Sequence, residues 1–229
     1  MSNIAIITAR GGSKRIPKKN IKPFCGKPIL LYSIEAAIKS GCFHEIMVST
    51  DDEEIAQLAK SAGANVPFMR SRKTSDDFAT TADVIEEVLN EYKKRGQTFE
   101  CACVLYPTAP FVTGAKLRKA VELMQEQGAD SVLPIVQFSF PPQRAFVSTD
   151  GYIQFAEKKF ARTRSQDLEP MYHDSGQFCC FKPEMLLQRH TLVTENTLGV
   201  VYPESEVQDI DTYEDWKLAE LKYTMMKEK

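Results

Sequence analysis

Residues 9–20 read Ala-Arg-Gly-Gly-Ser-Lys-Arg-Ile-Pro-Lys-Lys-Asn, and they follow a short apolar run at 4–7. Two adjacent glycines and five cations (Arg10, Lys14, Arg15, Lys18, Lys19) describe a loop that can hold a strongly anionic group, with a polyphosphate as the natural guest. Gly11 and Gly12 let the backbone bring N–H donors close to phosphate oxygens, while the cations neutralise charge from several directions. The spacing excludes two familiar phosphate loops: there is no Gly-x4-Gly-Lys-Ser/Thr and no Gly-x-Gly-x-x-Gly. The plainer reading of the same residues is a turn in a solvated basic surface.

A second chemical signal lies near the other end of the chain, at Val207-Gln208-Asp209-Ile210-Asp211-Thr212. In extended backbone, residues two apart share a face, so Asp209 and Asp211 can present two carboxylates to one point. Paired carboxylates near triphosphate oxygens suit Mg²⁺, a hard ion that takes oxygen ligands and keeps some of its waters. The alternative is that Asp211 or Thr212 caps the next helix, whose Glu214 and Asp215 fit an acidic first turn.

These groups must be positioned by a scaffold, and the pattern names it. Apolar strands are expected at 4–8, 46–50, 101–106 and 131–136, with a short one at 66–69. Helical periodicity falls at 29–40, from 51–54 onward through Ile55, Leu58 and Ala59, at 80–95 and at 115–127. Alternating strand and helix imply a mostly parallel sheet with helices on both faces, and ligands in such sheets collect outside the carboxyl ends of the strands. The loop at 9–20 leaves the first strand at that end. From 138 to 159 short apolar pairs alternate with Pro141-Pro142 and Asp150-Gly151, which predicts an inserted β-hairpin element. Strand and helix resume at 176–181, 183–188 and 198–202, and a final helix is expected over 212–226.

The 229 residues, 43% hydrophobic and 26% charged with net charge −2, suit one globular domain with a substantial core. That charge balance offers no general attraction to nucleic acid or anionic membrane, so the basic loop is a local feature. No apolar run is long enough to span a membrane and no signal-like start is present, so a cytoplasmic location is expected. Six cysteines without Cys-x-x-Cys spacing read as reduced core thiols.

Taken together, Ala9 to Lys14, Pro17 to Asn20, Ser49-Thr50-Asp51, Tyr106-Pro107-Thr108-Ala109-Pro110 and Asp209-Ile210-Asp211-Thr212 resemble, in order, the cytidylyltransferases that make CMP-sialic acids. The resemblance covers essentially the whole chain, residues 1–229. Its segment 163–178 is most similar to the pseudaminic acid branch, since Ser175-Gly176-Gln177-Phe178 stands where sialic and legionaminic acid enzymes carry an Asn-Gly-Ala-Ile-like sequence.

The resemblance implies a three-layer, Rossmann-like α/β nucleotidyltransferase fold, mostly parallel in its central sheet, with an inserted β dimerisation element at 138–162 and a homodimer. It implies CTP and a nine-carbon sugar acid as substrates and Mg²⁺ as cofactor. Carried over to this sequence, Arg10, Gly11, Gly12, Ser13, Lys14 and Asn20 hold the nucleotide, Lys19 stabilises charge at the α-phosphate, and Asp209 and Asp211 hold metal. Arg10 belongs with Lys19, Asp209 and Asp211 in the catalytic group. Arg15 and Lys18 are left as solvated surface. Arg70 and Thr81 are expected to read cytosine, against a surface arginine and a helix cap as alternatives. Tyr106, Arg164, Gln166, Asp167, His173, Asp174 and Gln177 are the expected sugar contacts. For Tyr106 and His173, core packing remains an equal reading. Phe138, Phe140, Phe146, Phe155 and Phe160 give the insert more aromatics than a solvated arm should carry, so it either meets a partner or forms a local mini-core. Outside this chemistry stand the same reaction on N-acetylneuraminic, legionaminic or 3-deoxy-octulosonic acid, and a non-catalytic nucleotide-binding dimeric domain.

Overall fold

Ile4, Ala5, Ile6 and Ile7 are all fully buried, and they pack alternately into two different clusters on opposite faces of their strand. A strand apolar on both faces needs cover on both, and the computed structural model, which describes residues 2–227, shows how it is supplied. That strand is β1 (Asn3–Thr8), followed by the two-residue strands β2 (Pro23–Phe24) and β3 (Lys27–Pro28). Next come α1 (Leu30–Ser40), β4 (Glu45–Ser49), α2 (Glu53–Ser61), α3 (Thr81–Lys94), β5 (Cys101–Leu105), α4 (Gly114–Gln127) and β6 (Ser131–Gln137). The hairpin β7 (Phe146–Thr149) and β8 (Tyr152–Phe155) precedes β9 (Tyr172–Asp174), β10 (Phe178–Phe181), α5 (Pro183–Arg189), β11 (Thr197–Val201) and α6 (Tyr213–Lys227).

The main sheet runs β11-β6-β10-β5-β1-β4, with β9 pairing the far half of β6. β1 pairs in parallel with β4 and β5, and β11 with β6. β10 is antiparallel to both its neighbours, so five strands run one way and β9 and β10 run back. Helices α1, α2 and α4 cover one face through Ile34, Ile55 and Leu117, packed on Ala5, Ile7, Val48 and Leu105. Helices α3 and α5 cover the other through Ile85, Val88 and Leu186, packed on Ile4, Ile6 and Val104. Each fully buried Ile or Leu contributes about 1.5–3 kcal/mol, so these two layers dominate the stability of the fold.

A third cluster gathers Ile16, Phe24, Tyr32, Phe111, Ile210 and Trp216, and it seats α6 against the start of the chain. The Phe24 ring meets Tyr32, Trp216 and Tyr223 edge-on at 5.6 Å. This aromatic knot brings residue 210 back beside residue 16, which no local pattern announces.

Most expected elements appear within a residue or two of their places. The strand expected at 66–69 does not form: Asn65 alone makes a bridge to Met47, and Pro67, lacking an N–H, cannot extend it. All six cysteines are free, but only Cys101, Cys103, Cys179 and Cys180 are buried. Cys25 is exposed and Cys42 half-buried, because each sits just outside an element end and not within a strand. The inserted hairpin forms as expected, with Asp150 (φ 51°) and Gly151 (φ 83°) both in the left-handed region that two-residue hairpin turns require. Its aromatics do not make a mini-core. Phe138, Phe140 and Phe146 are exposed, as are Tyr152 and Ile153; Phe155, which meets Phe146, and Phe160 are half-buried, and none of the five phenylalanines joins a buried cluster among the described residues.

Candidate active site

The parallel strands β1, β4 and β5 end on one side of the sheet, and their following loops meet there. Because β10 runs the other way, its N-terminus arrives at the same edge and adds Asp174 and Gly176 from the β9–β10 junction. A polar cavity of about 810 Å³ lies among these loops, with Asp209 and Asp211 in its lining.

The loop after β1 is held from below. The Gly11 N–H donates to Asp51 at 2.8 Å, and a Cβ on Gly11 would come within 2.9 Å of the Asp52 Cβ, so only glycine fits that approach. Asp52 cannot easily retreat, because its carboxylate caps α2 through the N–H groups of Glu54 and Ile55. Buried Asn20 donates to the Arg10 carbonyl at 2.8 Å and closes the loop. Of the loop residues expected in the site, Arg10, Ser13, Lys14, Lys19 and Asn20 line the cavity, while Gly11 and Gly12 form the loop's backbone without lining it.

The cations are paired across the cavity. Lys19 donates to the Ile210 carbonyl at 2.6 Å and lies 3.4 Å from the Asp211 carboxylate. Arg15 forms an ion pair with Asp211 at 2.8 Å. Arg15 therefore belongs to the site and not to the bulk surface, whereas Lys18 turns away to Glu54. Arg10 and Lys14 converge on Asp77, Arg10 at 2.9 Å, and those two hydrogen bonds, Lys14 first, hold the Asp77 carboxyl below the usual carboxylate range. Asp77 was legible only as part of a polar stretch; nothing local in the sequence marks it as the counter-charge to a loop 60-odd residues away.

Asp209 and Asp211 both line the cavity. Helix capping does not consume Asp211: Thr212 and Asp215 cap α6 reciprocally, the Thr212 N–H donating to Asp215 at 2.7 Å and the Asp215 N–H to the Thr212 hydroxyl at 3.2 Å. Asp209 makes no salt bridge among the described residues. Burial, and then the neighbouring Asp211 charge, push its carboxyl above the ordinary range. Gly176 (φ 66°) approaches closely, since a Cβ there would lie 3.4 Å from the Asp209 carboxyl carbon.

Arg70 is not a surface arginine. It is 7% exposed, its guanidinium donates to the Ser49 hydroxyl at 3.0 Å and the Ser49 carbonyl at 2.7 Å, and burial pulls its pKa down to about 10. It stays charged at neutral pH and lines the cavity. Thr81 lines it too and is not the helix cap; Thr80 caps α3 in a box with Asp83. Tyr106 lines the cavity as well, and burial raises the pKa of its hydroxyl.

The expected sugar contacts divide. Tyr106 and Asp174 reach the cavity. Arg164, Gln166, Asp167, His173 and Gln177 are not among its lining residues. Arg164 and Asp167 grip each other at 2.7 and 3.0 Å in an exposed turn just after the insert, Gln166 lies between them in that turn, and His173 meets Phe138 at a 54° tilt with ring centres 4.8 Å apart. Gln177 is fully buried and donates to the Glu206 carbonyl. It is placed as a core tie, because β10 enters the sheet at that point and turns the side chain inward.

The arrangement can bind a polyphosphate, read a nucleobase and place two carboxylates beside the reacting phosphate. A family model described as cytidylyltransferase matches residues 4–195. The pseudaminic acid cytidylyltransferase of Campylobacter jejuni is 38% identical over 224 residues, 97% of each chain. The CMP-N,N'-diacetyllegionaminic acid synthase of Legionella pneumophila is 32% identical over 228 residues, covering 96% of this chain and 95% of that one. Among solved structures, a CMP:2-keto-3-deoxy-manno-octonic acid synthetase complexed with CTP shares the fold, with a TM-score of 0.72 at 17% identity over 100% of both chains. On the family match and these identities across nearly its full length, the chain belongs to the cytidylyltransferase family.

Proposed function

We propose that this chain couples CTP to pseudaminic acid, giving CMP-pseudaminic acid and pyrophosphate. The observation that carries the reading is a single cavity bounded by the cationic loop, by Arg70 with Thr81, and by Asp209 with Asp211, in a chain 38% identical to a pseudaminic acid cytidylyltransferase. The triphosphate takes the place of Asp77 as counter-charge to Arg10 and Lys14. Arg70, fixed by Ser49, offers its remaining N–H groups to the acceptors of cytosine. Tyr106 and Asp174 face the acceptor sugar.

The anomeric hydroxyl of the sugar acid attacks the α-phosphorus. The new oxygen–phosphorus bond forms as the bond to the α,β-bridging oxygen breaks, and pyrophosphate leaves with that electron pair. The hydroxyl proton passes to Asp209 or Asp211. Lys19, held by the Ile210 carbonyl, places its ammonium where charge builds on the α-phosphate, and Lys14 and Arg10 neutralise the leaving pyrophosphate.

The residues present fit Mg²⁺. Asp209 opens to the cavity, unpaired by any cation in a salt bridge among the described residues, and beside a second carboxylate, which is a donor set that a hard divalent ion completes with phosphate oxygens and water. Asp209 and Asp211 would hold it, and when bound it supplies charge neutralisation at the triphosphate oxygens.

Pyrophosphate release with CTP and each of pseudaminic, legionaminic, N-acetylneuraminic and 3-deoxy-octulosonic acids tests the reading. Turnover fastest with pseudaminic acid is expected. Turnover with another of these acids and none with pseudaminic acid would replace the acceptor; none with any would remove the activity. The exposed aromatic hairpin supports a homodimer in which the insert packs on the partner subunit and brings Arg164 to that subunit's sugar carboxylate. Sedimentation at micromolar concentration should give twice the chain mass. No helix among the described residues is long and apolar enough to cross a membrane, and CTP as substrate supports a cytoplasmic place of action.

A further inference from the structure

The segment that carries the two aspartates is clamped from three directions by groups that the reaction itself does not use. It descends from β11 through a tight turn at Glu204–Glu206 into buried Val207. Lys116, on α4 and only 7% exposed, donates to the Glu206 carbonyl at 3.3 Å, pairs with the Glu206 carboxylate at 3.1 Å, and lies over the Tyr202 ring at 4.5 Å. Gln177, fully buried at the start of β10, donates to the same carbonyl at 3.0 Å. Lys222, on α6, donates to the Glu204 and Val207 carbonyls, both at 3.0 Å.

Packing alone does not explain this choice of residues. A buried lysine amine loses hydration, and burial pulls the Lys116 pKa below the ordinary lysine value. The Gln177 amide oxygen finds no hydrogen-bond partner among the described residues while its NH₂ is spent on Glu206. An apolar side chain at either position would be less costly to bury. What the two polar groups achieve is a fixed Glu206 carbonyl three residues before Asp209, joining α4 and β10 to the segment opposite the phosphate loop.

We propose that Lys116 and Gln177 are positioning residues for the cytidylyl transfer, which hold residues 207–211 so that both carboxylates face the phosphate loop, where they would hold the ion. The inference rests on the function proposed above. It assigns Gln177 a role in metal and phosphate geometry and removes it from the sugar contacts.

The test measures Mn²⁺ binding by electron paramagnetic resonance in the presence of CTP, together with kcat, KM for CTP and thermal unfolding, for Lys116→Met, Lys116→Arg and Gln177→Met. Outer partners of metal-binding carboxylates typically change metal affinity or activity about 10–100-fold. Lys116→Met and Gln177→Met should weaken Mn²⁺ and lower kcat by that range with KM for CTP changed less than about threefold, and Lys116→Arg should restore most of the loss. Variants that melt earlier but keep wild-type Mn²⁺ affinity and kcat when folded would show a merely structural role and overturn the proposal. If Lys116→Met does not fold, Gln177→Met decides. Asp209→Ala separates this inference from the one beneath it: wild-type Mn²⁺ affinity in that variant removes the metal assignment, and the clamp then stands or falls on the kcat of Lys116→Met and Gln177→Met.

Discussion

The two halves of this molecule that face the substrates are built differently. On the proposed nucleotide side the cations already have partners: Lys19 the Ile210 carbonyl, Arg15 the Asp211 carboxylate, Arg10 and Lys14 the Asp77 carboxylate, Arg70 the Ser49 hydroxyl and carbonyl. On the proposed sugar side, the insert is a solvent-facing hairpin, and Arg164 just after it is satisfied by its own neighbour Asp167. The nucleotide half is preorganised by one chain's core, with short loops anchored on buried strands. The insert has no buried cluster of its own behind it among the described residues, and in the proposed dimer its polar groups would be brought to the acceptor by the partner subunit that covers them. Preorganisation of this kind serves catalysis, because donors already fixed at the developing charge need no rearrangement during the reaction.

That contrast can be broken most severely at the carboxylates. Asp209→Ala should lower kcat for pyrophosphate release by about 10²–10⁴-fold with the protein still folded, as judged by circular dichroism. An unchanged rate would end its place in the reaction. Lys19→Met comes next, with a kcat loss of about 10²–10³-fold and the Lys14 contacts left intact. If its effect fell on KM for CTP alone, Lys19 would be a binding group and not one that acts at the α-phosphate.

On the acceptor side the effect should move to KM. Arg164→Ala should raise KM for the sugar acid about tenfold or more, the worth of a charge-assisted pair, and leave KM for CTP unaltered. Equal effects on both substrates would erase the division between the halves. Phe146→Ser with Tyr152→Ser should shift sedimentation from dimer toward monomer without changing the unfolding temperature of the sheet, because both side chains are exposed and make no core contact. The smallest effect belongs to Asp77→Asn. Asp77 competes with the triphosphate for Arg10 and Lys14, so its removal should lower KM for CTP by a few-fold at low salt, the advantage shrinking as ionic strength rises. A raised KM would mean that Asp77 holds the two cations in place for the nucleotide instead.

The carboxylate pair offers one further measurement. Asp209 titrates above an ordinary aspartate because burial and then Asp211 disfavour its charged form. Asp211→Asn removes a negative neighbour, so the Asp209 pKa should fall in the metal-free protein, read by carbon NMR of its carboxyl; a rise would place the cause elsewhere.

Several of these features were legible in the chain. The glycine pair and cations after an apolar strand announce the phosphate loop because strand end, turn and charge are all local. The spacing of Asp209 and Asp211 announces a shared face for the same reason. The strand expected at 66–69 failed where a proline outweighed apolar neighbours; of the two caps offered for the last helix it is Thr212 that serves and not Asp211, and the cap offered at Thr81 fell one residue away, on Thr80. Arg15 shows the other limit: adjacent cations look alike in sequence, and its selection over Lys18 depends on a carboxylate far along the chain.

By itself, then, the sequence determined the alternating α/β scaffold, the anion loop and the two carboxylates, because each is encoded by periodicity or by spacing within a few residues. Only the tertiary structure decided which charges face which. The reversal of β10, the aromatic knot under α6 and the clamp on Glu206 bring Gly176, Asp209 and Asp211 to a loop near the other end of the chain. Such pairings depend on how buried layers stack, and burial is a property of the whole fold that no short stretch of residues carries.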